Sequence, residues 1–187
     1  MELLIQFGSY KVERRIVLAL ALVALACAHL SAQVPNEYEV KAAFLVKFAS
    51  FVEWPEGAGA PGAGHRCIGV VGQDPFGQVL DDVVARKFVV RRFRSDQEPV
   101  GCEIVFVGAS ERKRLGSLLE HLHHSAVLTV SDMPGFCEQG GMINLTLGNN
   151  RIGLEINPEA AAESRLQLSS KLLGVARIVR QPVQGSR

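Results

Sequence analysis

The sequence predicts an α/β fold, a three-layer α/β/α domain with a mainly parallel central sheet and a C-terminal β-hairpin. Three observations predict it. Short apolar runs alternate with segments of helical spacing between residues 67 and 130, the rhythm of strand–helix–strand units. The run Ile104-Val105-Phe106-Val107 is apolar at every position, as a strand buried on both faces requires. Two alternating segments near the C-terminus flank Gly148-Asn149-Asn150, residues that tolerate the positive φ of a tight hairpin turn.

Each element follows in order. Asn36 to Val52 reads as a helix with Val40, Phe44, Phe48 and Phe51 near one face, ended by Pro55. Gly57 to Gly64 is a Gly/Ala/Pro loop. Cys67–Val71 reads as a buried strand. Asp74 or Pro75 then starts a helix carrying Phe76, Val79, Leu80 and Val83. Phe88–Phe93 and Cys102–Val107 are the next strands. Ser110 is an N-cap candidate for a helix through His123, with Leu115, Leu118, Leu119 and Leu122 on its apolar side. Val127–Val130 is a fourth strand, and Met142–Leu147 with Arg151–Ile156 form the hairpin. Helical segments over Pro158–Ser164 and Ser169–Val179 follow, then a tail from Gln181 to Arg187.

The first 32 residues read as a secretory leader, and residues 33–187 as a single domain. Lys11, Arg14 and Arg15 precede an unbroken apolar run from Ile16 to Ala28, too short to span a bilayer comfortably. Small residues offer cleavage after Ala28 or, preferably, after Ala32. An uncleaved anchor and a lipoprotein attached at Cys27 are the alternatives, although Leu25 spoils the lipid-attachment pattern. Lys11, Arg14, Arg15, Glu2 and Glu13 lie in that leader, so the remainder carries 17 basic and 17 acidic side chains. Zero net charge argues against general nucleic-acid binding.

Export to an oxidising compartment makes a disulfide plausible. Cys67 and Cys102 each open a strand, and in a doubly wound sheet those strands can be parallel neighbours, which brings their first residues within bridging distance. Two buried thiols are the alternative. Cys137 has no evident partner, which leaves it free or bridging subunits.

Three blocks resemble the YfiR-like family of periplasmic proteins. The first runs from Lys41-Ala42-Ala43-Phe44-Leu45 through Phe48 to Val52-Glu53-Trp54-Pro55. The second joins Gly140-Gly141-Met142-Ile143-Asn144-Leu145 to Arg151-Ile152-Gly153-Leu154-Glu155-Ile156-Asn157. The third spans Leu166 to Leu173 and ends at Ala176-Arg177-Ile178-Val179. The resemblance implies a dimeric periplasmic repressor with redox-sensitive disulfides. It would act on the periplasmic region of an inner-membrane diguanylate cyclase, and a peptidoglycan-associated outer-membrane lipoprotein would sequester it. It also implies the Cys67–Cys102 bridge. Cys137 matches half of a second bridge, but no cysteine stands near Asn144 to complete it.

Several residues are candidates for partner or ligand contact. Phe51 and Trp54 flank the end of the first helix, and Trp is favoured at interaction hot spots; the alternative is that Trp54 and Pro55 cap the helix and fill core. Glu155 lies beside Gly153 on one face of its strand, where a carboxylate over a glycine gap would accept hydrogen bonds from a ligand amine. Arg151, Arg165 and Lys171 are its candidate ion-pair partners, and a solvated strand face is the alternative. Arg86, Lys87, Arg91, Arg92 and Arg94 bracket the second strand, either as a patch for an acidic partner or as an edge strand protected by charge. His121, His123 and His124 lack further ligands at metal-binding spacing and read as cations at a helix C-terminus. The glycines from Gly69 to Gly77 match no nucleotide loop and read as tight turns, and no nucleophile motif is present. No catalytic residue, metal or cofactor is therefore expected. The sequence reads as a binding and regulatory protein, with a periplasmic small-molecule-binding protein that presents its ligand to a receptor as the alternative.

Overall fold

The structure, a computed structural model, describes residues 36–56, 66–85, 87–123, 125–149 and 151–180. The leader, the Gly/Ala/Pro loop, Arg86, His124, Asn150 and the tail from Gln181 lie outside the described residues.

Helix α1 covers Glu37–Phe48. Asn36 caps it in a reciprocal box: its side chain accepts from the first turn, and its own N–H donates to Glu39 Oε2 at 3.1 Å. The helix stops four residues earlier than Val52. The chain turns at Ala49–Phe51, and β1 (Val52–Glu53) pairs antiparallel with β8 (Gln167–Leu168). The pairing provides ladder bonds for a β-branched residue that gains less from a helix.

The main sheet has the order β3-β2-β4-β5-β6-β7-β9. Strands β2 (Arg66–Val71), β3 (Phe88–Phe93), β4 (Ile104–Val107), β5 (Leu128–Ser131) and β6 (Ile143–Gly148) run parallel. Strand β7 (Arg151–Ile156) closes the expected hairpin antiparallel to β6, with Asn149 at φ +50° in its turn. Side chains alternate between two cores. Ile68, Val70, Ile104, Phe106, Leu128 and Val130 face α1 and α2 (Gln78–Val84). Val71, Phe93, Val105 and Val107 face α3 (Leu115–His123), whose Leu115, Leu119 and Leu122 point inward. This is the three-layer arrangement, and the central strands are buried on both faces as their unbroken apolar runs require.

Three local expectations are corrected. Ser110 is not an N-cap, because its hydroxyl bridges loops instead. It accepts from the Gln73 N–H at 2.9 Å and donates to Glu111, and the segment Ala109–Arg114 forms a tighter 3-10 turn before α3. The second helix starts at Gln78, since Asp74 accepts the Phe76 N–H at 2.7 Å and holds residues 74–76 in a turn. The segment Ser169–Val179 is helical only over α5 (Ser170–Leu173). Its β-branched end then forms β9 (Arg177–Ile178), which runs parallel to β7 and covers that open edge.

Candidate functional site

Helix α1 is apolar on more than one side. Its inward side carries Ala42, Leu45 and Phe48, each at most 1% exposed. A second row, Val40, Ala43, Phe44 and Lys47, follows the i, i+3, i+4, i+7 spacing of another helix face and stays at the surface. This row forms one wall of an open groove of about 480 Å³. Phe51 closes one end. Leu154 of β7 and Leu172 of α5 line it, and Val175, 74% exposed, stands on the opposite rim with Lys171. Apart from the two lysines, every lining side chain is apolar.

The third sequence block builds that far wall. Ser169 caps α5 by accepting the Leu172 N–H at 3.3 Å, and the Ser169 N–H donates to the Phe51 carbonyl at 2.9 Å. That bond, with the β1–β8 pair, fixes the turn carrying Phe51 against α5. Phe51 and Lys171 are thus brought to one groove, although they lie far apart in sequence. The sequence alone does not mark Val40, Ala43, Phe44 or Val175 as contact residues. The available signal was that residues 40–48 hold more apolar positions than one buried stripe needs.

The other candidates lie elsewhere. Trp54 is half-buried beneath the Arg66 guanidinium, 5.0 Å from its ring centroid, and its buried indole N–H has no hydrogen-bond partner among the described residues. Arg66 in turn donates to Glu103 at 2.5 Å. Glu155 does not meet Arg151, Arg165 or Lys171. Its carboxylate accepts from Asn144 Nδ2 at 3.0 Å and pairs with Arg177 of β9. Burial pushes the Glu155 carboxyl up, but the Asn144 and Arg177 hydrogen bonds outweigh it and hold the group below its ordinary value. The Gly153 gap is closed by Thr146, whose hydroxyl lies 2.7 Å from where a Cβ would stand. Glu155 therefore ties β6, β7 and β9 together.

Arg165 is exposed and ends helix α4 (Pro158–Glu163) in the left-handed conformation, φ +59°. The pattern of Arg165 N–H to Ala162 and Leu166 N–H to Ala161 is a Schellman ending. Cys67 and Cys102 are joined by a disulfide, Cα atoms 4.4 Å apart, between β2 and the residues just before β4. Cys137 is free and fully buried, its thiol directed at the Glu155 carbonyl at 3.4 Å. Burial first, then the nearby Glu155 and Glu138 charges, push that thiol up to about 12, so it stays protonated and inert at neutral pH.

Strand β3 is the sheet edge, and its basic residues are held locally. Arg92 reaches both Asp74 at 2.7 Å and Asp81 at 2.6 Å, and Arg91 donates to the Val100 carbonyl at 3.0 Å. His121 bonds the Ser117 carbonyl at 2.7 Å and His123 the Gly140 carbonyl at 3.0 Å, so both serve the end of α3. The strand order reverses between β2 and β4, where open α/β sheets usually bind ligands. Here Gly72 turns at φ +82°, and Ser110 and Glu111 pack so closely against it that a Cβ would strike them. Among the described residues no helix is long and apolar enough to cross a membrane.

These features define a class: a three-layer α/β domain with a largely parallel sheet whose α1 layer carries an apolar groove among the described residues. A family model described as YfiR/HmsC-like matches residues 38–177, and the chain belongs to that family. A solved structure of a conserved domain protein from Vibrio cholerae O1 biovar El Tor is similar in fold, with a TM-score of 0.57 at 10% identity. The match covers 78% of this chain and 60% of that one, so this chain spans less than two thirds of the length of that chain.

Proposed function

We propose that this protein is a periplasmic regulator that represses an inner-membrane diguanylate cyclase by direct contact with the cyclase's periplasmic region, and that it has no catalytic activity of its own. The carrying observation is family membership over residues 38–177. The leader-like first 32 residues and the Cys67–Cys102 disulfide support an oxidising compartment outside the inner membrane. The groove over α1, apolar apart from Lys47 and Lys171, supports action through contact. On this reading the protein is a homodimer. A peptidoglycan-associated outer-membrane lipoprotein competes for it and relieves repression.

The test is deletion of the gene with measurement of cellular cyclic di-GMP, alongside direct binding of the mature chain to the cyclase's periplasmic region. Deletion is expected to raise cyclic di-GMP several-fold, and complementation to restore it. Unchanged cyclic di-GMP after deletion would sink the regulatory reading.

A further inference from the structure

We propose that the groove between α1 and α5 receives an amphipathic helix of the protein partner, one with an apolar stripe flanked by acidic residues. The inference rests on the regulatory reading above and names the chemistry of what it grips.

The outward row of α1 is a complete helical stripe, with Val40, Ala43 and Phe44 spaced as one face and Lys47 one turn on. A helix that is apolar on several sides is normally covered on all of them. Among the described residues the Ala42, Leu45 and Phe48 side is sealed in the core, while Val40 and Phe44 are only partly buried and Ala43 is exposed. The groove follows α1 from Val40 to Phe48 and continues to Phe51 in the turn beyond it, and the Val40–Lys47 span is the length over which a second helix seats anchors at i, i+3, i+4 and i+7.

Three features choose this occupant. Charge is the first: the lining holds two lysines, Lys47 and Lys171, both exposed, and no acidic side chain. Neither lysine pairs with a carboxylate among the described residues. Aligned cations on both walls select Asp or Glu beside the apolar anchors. The second is openness: Ala43 and Val175 remain exposed on the rims, where a lone acyl chain would leave them wet but a helix would cover them. The third is the lack of placed polar groups. Small-molecule sites fix orientation with a few oriented donors and acceptors, and this groove has only the two flexible ammonium tails. An identical chain is a poorer fit, because the same face on a second copy would bring Lys47 and Lys171 against their equivalents.

The experiment uses the mature chain and labelled synthetic helices of about 18 residues. One carries leucines at i, i+3, i+4 and i+7 flanked by Glu, the second has Lys in place of Glu, and the third has the leucines scrambled. Fluorescence anisotropy is expected to show the Glu-flanked helix binding at least tenfold tighter than either other. Phe44→Glu is expected to abolish binding. Because that change places a charge against a partly buried site on α1, the exposed pair Lys47→Glu with Lys171→Glu is the decisive variant: it should keep the fold by circular dichroism and reverse the preference toward the Lys-flanked helix. Equal binding of the scrambled helix, or no reversal in the charge-swapped protein, overturns the proposal. So does binding of laurate with no binding of either leucine-striped helix. Self-association that is lost in the charge-swapped protein also overturns it, by assigning the groove to a second copy. The cyclase's periplasmic region is titrated in parallel. If it binds wild-type and charge-swapped protein equally, the groove assignment falls and the regulatory reading stands. If the Glu-flanked helix binds and reverses but the cyclase region does not bind, the reverse holds.

Discussion

Lys41 is only 2% exposed in a helix whose other buried residues, Ala42, Leu45 and Phe48, are all apolar. It donates to Asp132 at 2.7 Å and pairs with Glu37 one turn back, and the Tyr38 hydroxyl donates to the same Asp132 oxygen at 3.2 Å. Burial alone would lower the Lys41 pKa, but the Asp132 and Glu37 hydrogen bonds override it and raise the value, keeping the charge. Sequence placed Lys41 in a recognisable block without revealing this role, because its partner stands 91 residues away at the end of β5. Removing one member of a buried pair strands the other, so Asp132→Asn should cost about 2–3 kcal/mol, with Glu37 limiting the loss. A lower urea midpoint at unchanged slope would report it, and an unchanged midpoint would show the pair to be dispensable. Glu155 teaches a similar lesson. Its face of β7 was legible from alternation, but its partner Arg177 belongs to a segment that periodicity assigned to a helix.

At the scale of elements, strands were easier to place than helix ends. Phe88–Phe93 has the expected bounds, while α1 and α5 are both shorter than their apolar spacing suggests. Spacing records which residues suit a helix; it does not record a competing strand partner, and both lost segments pair with one. Helix α4 ends on a conformation that suits glycine, yet Arg165 occupies it with its side chain exposed. Arg165→Gly should therefore stabilise the fold by about 1 kcal/mol, read as a raised thermal midpoint. A drop instead would mean that the arginine side chain makes a contact worth more than the backbone relief.

Across the whole molecule, the Cys67–Cys102 bond staples the β2 and β4 ends across a sequence separation of 35. Chain-entropy reasoning puts its contribution at about 4 kcal/mol. The double variant Cys67→Ala with Cys102→Ala should unfold at correspondingly lower urea, and equal midpoints would mean that the sheet holds these strands unaided. By itself the sequence determined the layer order, the parallel core, the C-terminal hairpin and the family, because strand and helix periods and turn residues are local properties written in consecutive positions. The tertiary structure decided which apolar residues remain outside. Val40, Phe44 and Phe51 have the same hydrophobic character as Leu45. Only the meeting of α1 with α5 and β7 fixes which of them are sealed in the core and which line the groove, since burial depends on what arrives from distant parts of the chain.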